Sequence, residues 1–152
     1  MSEVRRIADQ LRRAYEGEAW HGPSLKQILA GITSEQAARR VVPNAHTIWE
    51  LVHHIGAWES IVRRRLSCEV VNATPEMDWP PVRDTGDAAW KEALANLERG
   101  HMQLREAVAA LSDEQLREKV VGENYSVYGM VHGVIQHDLY HAGQIAILKK
   151  AL

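Results

Sequence analysis

The sequence predicts an all-α protein: an up-and-down four-helix bundle built from two related helical hairpins. Three observations predict it. Apolar residues recur at three- and four-residue steps through four long segments. Strand signals are scarce and the connections are short, as antiparallel helical neighbours require. A stretch of the first half also recurs in the second. The 152 residues, 45% hydrophobic and 25% charged, suit one domain spanning 1–152 with a sizeable core.

The first helix is "VRRIADQLRRAYEG". Val4, Ile7, Leu11 and Ala14 share one face, and Gly17 ends it. "PSLKQILAGI" is a short helical turn opened by Pro23 and Ser24. "HTIWELVHHIGAWESIVRRRL" is a long amphipathic helix. "EVVNATPEMDWPPVRDTGD" reads as a loop because of Pro75, Pro80, Pro81 and Gly86. Two more long helices follow, "AAWKEALANLERGHMQLREAVAAL" and "SVYGMVHGVIQHDLYHAGQIAILKKAL".

The internal repeat aligns Ser34–His53 with Asp113–His132 without a gap. Glu35, Gln36, Val41, Val42, Val52 and His53 recur as Glu114, Gln115, Val120, Val121, Val131 and His132. Each copy opens with a capping signal, Thr33 before Gln36 and Ser112 before Gln115. Two helix starts with similar needs would look alike, but the length of the match favours two related hairpins.

Composition excludes several functions. The net charge of -2 leaves no basic footprint for nucleic acid, and the run Arg63–Arg65 reads as a solvated helix face. No apolar run approaches the roughly 18 residues of a membrane span, and the N-terminus has no apolar signal core. A single cysteine, Cys68, rules out an internal disulfide and reads as a bystander thiol. A soluble, cytoplasmic protein is expected.

The chemistry concentrates in histidines. At about 100° per residue, Ile48, Leu51, Val52, Ile55, Trp58, Val62 and Leu66 form one stripe of the second long helix. His53 lies opposite it and is expected in solvent. His54 sits at its edge and can look into the bundle. Glu59 falls inside the stripe, either as a buried carboxylate or as a salt-bridged, snorkelling one. In the last helix, Val127, Met130, Val131, Val134, Ile145 and Leu148 mark the inner face, and His137, Asp138 and His141 project within it. His132 points away. His137 and His141 are four apart, so both rings can reach one ion at about 2.0–2.1 Å. Burying three unpaired imidazoles costs several kcal/mol, which a metal offsets. The plainer reading is three hydrogen-bonded core histidines without a metal. "HDLYH" also approaches the H-E-x-x-H of zinc proteases. Asp is one carbon shorter than Glu as a base, and the chain offers no strand for an edge-on peptide.

Taken together, "HTIWELVHHIGAWE", "DWPP", the helix start at Trp90 and "HGVIQHDLYHAGQIAILKK" resemble the DinB-like (YfiT-like) family of metal-dependent enzymes, over nearly the whole chain. The resemblance implies a pseudo-symmetric four-helix bundle and a divalent ion held by His54, His137 and His141. Zinc or nickel are the leading candidates, with iron or manganese as alternatives. It also implies a homodimer and a small-molecule substrate, attacked by a low-molecular-weight thiol or by water, in a transferase or a hydrolase. A thiol needs cationic or polar anchors near the ion, and only the fold can place Arg63–Arg65 or Arg83 there. The alternative is a non-catalytic metal-binding stress or interaction protein whose ion stabilises the bundle. Asp138 is expected to orient an imidazole N–H. Gln144 reads as a packing amide or as a second such support. The Trp79 loop either rims the site or merely connects helices.

Overall fold

The computed structural model describes residues 2–152. Its long helices are α1 (Glu3–Glu16), α4 (Ile48–Leu66), α6 (Asp87–Ala109) and α7 (Val127–Lys150). Between them lie the short helices α2 (Leu25–Leu29), α3 (Ser34–Ala38) and α5 (Pro75–Asp78), and a 3-10 turn at Gln115–Arg117. Among the described residues there is no strand, only an isolated bridge between Lys119 and Ser126.

Local chemistry sets the boundaries. Ser2, Ser24, Thr33, Thr47, Thr74 and Ser126 each cap a helix, accepting a backbone N–H on the side-chain oxygen. At Ser24, Thr33 and Thr47 the capping box is closed by Gln27, Gln36 and Glu50. Gly17 ends α1 at φ 143°, a conformation that a side chain would strain. Thr47→Ala is expected to cost about 1 kcal/mol and to lower the melting temperature by about 2–4 °C. Thermal unfolding measures it.

α4 packs on α6 and α7, and α1 packs on the same two helices. The order around the bundle is therefore α1, α6, α4, α7, and each half of the repeat interleaves with the other. The repeat is visible in the backbone. Thr33 and Ser112 stand at equivalent turns, Ser112 receiving Gln115 N–H on Oγ while Gln115 Oε1 accepts the Ser112 N–H. Thr47 and Ser126 then cap α4 and α7.

The apolar interior falls into two clusters. One gathers Trp49, Ile55, Trp90, Leu97, Ala142 and Ile145. The other gathers Ile7, Leu11, Val62, Leu104, Val108 and Val134. Polar residues separate them on three helices at once. Glu59 lies between Ile55 and Val62 on α4, His101 between Leu97 and Leu104 on α6, and Asp138 between Val134 and Ala142 on α7. All three are buried.

Candidate metal centre

The inner-face placement brings His54, His137 and His141 together. Each offers a ring nitrogen, all within 4.8 Å of one another, so the group could hold one metal ion. His54 Nε2 and His137 Nε2 are 2.9 Å apart. His141 stands edge-on to both rings, with centroids 4.7 Å from His54 and 4.5 Å from His137.

Two of the rings are fixed from outside. His54 Nδ1 donates to the Asp78 carbonyl at 2.6 Å, and His141 Nδ1 donates to Gln144 Oε1 at 2.6 Å. Both bonds leave Nε2 as a lone pair, the form that ligation needs. Gln144 is thus a support of His141 rather than only a packing amide. Burial, reinforced by the neighbouring imidazoles, holds His137 down to about 3 and pushes His141 below the usual imidazole range. Both rings are neutral near pH 7.

Two orphaned atoms bear on whether the residues fit an ion. His137 Nδ1 and Asp138 Oδ1 are buried without hydrogen-bond partners, and they face each other at 3.6 Å. A direct N–H···N bond between His54 and His137 would have to come from His137 Nε2, because His54 has spent its proton on Asp78. That leaves His137 Nδ1 a bare acceptor beside a carboxyl oxygen. With Nε2 turned to an ion, Nδ1 instead carries the proton and faces an acceptor. The two orphaned atoms and the three converging ring nitrogens are compatible with a bound cation. At 3.6 Å the two atoms do not form a hydrogen bond as they stand.

The 69–87 segment does rim the site. Thr74 caps α5, and Trp79 follows with its indole stacked on His54 at 3.8 Å and 5°. His46 stacks on the other face at 3.5 Å. Trp58 Nε1 donates to Asp78 Oδ1 at 2.7 Å, tying the segment to α4.

Other expectations need correction. His53 is half-buried, not solvated, because its Nε2 accepts from Trp49 Nε1 at 3.1 Å. Arg65 is buried, not part of a solvated face. It donates to the Val71 carbonyl at 2.7 Å and pairs with Glu123 at 2.6 Å. Arg83 and Cys68 are exposed.

The sequence reading missed His101. Its Nδ1 and Glu59 Oε1 share a hydrogen bond of 2.7 Å, and its ring stacks on Tyr15. With Asp138 they form a second group that could hold an ion. Burial drives Glu59 up to about 8, carries Asp138 well above the carboxylate range and lowers His101 to about 4. Two carboxyls this close in an apolar interior cannot both ionise. The trio therefore keeps a carboxyl proton beside a neutral imidazole.

The profile of the DinB superfamily matches residues 18–145. Among curated proteins and among solved structures no match is found. No helix of the described residues is long and apolar enough to cross a membrane. The family match takes in α2 through most of α7, including all three clustered histidines and the Trp79 rim, and on that footing the chain belongs to the DinB superfamily.

Proposed function

We propose that the protein is a divalent-metal-dependent enzyme. In this reading His54, His137 and His141 hold one ion, and the reaction is attack of a low-molecular-weight thiol or of water on a small electrophile. The observation that carries it is the convergence of three imidazoles, two with tautomers set by outside acceptors. Closed structural zinc sites use four protein ligands, whereas catalytic sites leave a position open. The group here supplies three. When bound, the ion supplies Lewis acidity that favours the ionised form of an incoming thiol or water. The chain's own residues do the rest. The Asp78 carbonyl and Gln144 hold two rings in register, and Trp79 covers His54 and keeps water from that side. Beside three imidazoles, tetrahedral zinc would leave one open position and octahedral nickel, iron or manganese three.

The test is elemental mass spectrometry of protein purified without a tag or metal column. About one divalent ion per chain is expected. No stoichiometric ion, even after zinc or nickel is added back, overturns the reading. Gln144→Ala should keep the three rings but weaken metal binding by about 10–100-fold, measured by competition with a chromogenic chelator.

A further inference from the structure

Beside the histidine cluster lies a cavity of about 390 Å³ between α4 and α7. His137 forms one wall. Trp58, Val62, Met130 and Val134 make the sides, and Gly129 and Gly133 leave the α7 surface flat. The far end is polar. Arg65 is buried, yet its Nε has no hydrogen-bond partner. Its Nη1 donates to the Tyr125 hydroxyl at 2.5 Å, so the Tyr125 O–H proton is left to point elsewhere. Both residues line the cavity, so a guanidinium and a hydroxyl with a free proton close one end of an apolar slot. The Arg65 charge is offset by Glu123.

The internal repeat supplies an independent argument. The register that carries Ser34 onto Asp113 carries His54 onto Gly133. It likewise carries Trp58 onto His137 and Val62 onto His141. Arg65 falls on Gln144. The cavity is thus the counterpart of the histidine cluster across the pseudo-two-fold axis. Where one position gathers three imidazoles and a supporting amide, the other gathers a glycine, an indole, a valine and a guanidinium. One position is built to ligate and the other to enclose apolar matter. Both share the wall made by His137.

We propose that this cavity is the substrate pocket of the metal centre. It takes a small molecule with an aryl-sized apolar body and an oxygen acceptor, such as a carboxylate or sulfonate, at the end away from His137. The volume and the few converging donors suit a small-molecule site of about 300–1,000 Å³. The assignment of substrate class rests on the metal reading above, but the cavity's capacity to bind can be tested apart from it.

The probes are 1-anilinonaphthalene-8-sulfonate and its uncharged parent N-phenyl-1-naphthylamine, titrated by fluorescence into the intact protein. The sulfonate should saturate at one per chain and bind about tenfold tighter than the parent, as a hydrogen bond to a charged group implies. Tyr125→Phe should narrow that gap. A Cβ added at Gly133 meets nothing within 4 Å, so the side chain of Gly133→Leu starts in open space at the wall of the slot. It should weaken both probes at least tenfold while thermal unfolding and metal content stay at wild-type values. Cobalt in place of zinc should quench the bound dye, because the slot and the ion share His137.

Dye binding untouched by Gly133→Leu, a parent that binds as tightly as the sulfonate, or, in protein carrying one ion per chain, equal emission with cobalt and zinc each overturns the proposal. Stoichiometric metal without saturable dye binding sinks the pocket alone. Dye binding lost in Gly133→Leu but no metal in the wild type leaves the ligand site standing and removes the metalloenzyme reading.

Discussion

His54→Ala is expected to abolish stoichiometric metal binding. His54 is the one cluster ligand that α4 supplies, and its Nε2 lies 2.9 Å from that of His137. Without it, the two α7 rings remain a turn apart with nothing opposite them. The loss should exceed the 10–100-fold that removal of a supporting residue costs. The variant also strips the partner from one face of Trp79. Added zinc or nickel should raise the melting temperature of the wild type, since an ion that binds only the folded chain stabilises it by about 2.7 kcal/mol at a hundredfold excess over Kd. It should leave that of His54→Ala unmoved. His53→Ala is the matched control, one position along on the same helix, and should keep its ion. A His54→Ala protein that still carries one ion per chain would place the ligands elsewhere.

Glu59→Ala should be the most destabilising change near the site. It removes the partner of His101 and the neighbour of Asp138 at the buried centre of the core, leaving a polar atom unpaired at a cost of about 1–3 kcal/mol, to which the cavity adds. Glu59→Gln keeps shape and hydrogen-bonding capacity and should cost much less. The two variants also separate the proton from the packing. Burial raises Glu59 from about 4.5 to about 8. A carboxyl raised on folding binds its proton more tightly in the native state, so its stabilising contribution is full below about pH 4.5 and is lost as pH climbs towards 8. In chelator-treated protein, Glu59→Gln should therefore gain on the wild type as pH rises from 5 to 8. Urea unfolding at each pH measures it, and a gap that stays constant would show that Glu59 is ionised in the fold.

Much of this architecture is legible in the chain itself. The stripe of Ile48, Leu51, Val52 and Ile55 fixes which side of α4 is inside, and that alone selects His54 over His53. The four-residue step from His137 to His141 places both on one face of α7. His101 was equally readable. It continues the Trp90, Ala93, Leu97, Leu104 and Val108 stripe of α6, but with no partner nearby in sequence it passes for a surface residue. Arg65 follows the same logic, since it extends the line of Trp58 and Val62 yet hides in a run of three arginines. Periodicity could not reveal Trp79. It belongs to an irregular segment, and its stacking on His46 and His54 depends on how that segment folds back. The half-burial of His53 likewise depends on the Trp49 indole reaching along the helix.

The same register that relates the two halves carries Glu59 onto Asp138. These are the two carboxyls that share the centre of the core. If the halves descend from one duplicated hairpin, its ancestor worked as a pair of identical chains, and this acid met its own copy on the dyad. Such a contact tolerates only one negative charge, so a trapped proton would predate the fusion. Once both copies lay on a single chain they were free to diverge. The lengths of the two acids now differ, His101 joins from one side only, and the flanking clefts are no longer interchangeable. A symmetric assembly repeats whatever it builds; joining its halves lets it keep one ion site and turn the duplicate to another use.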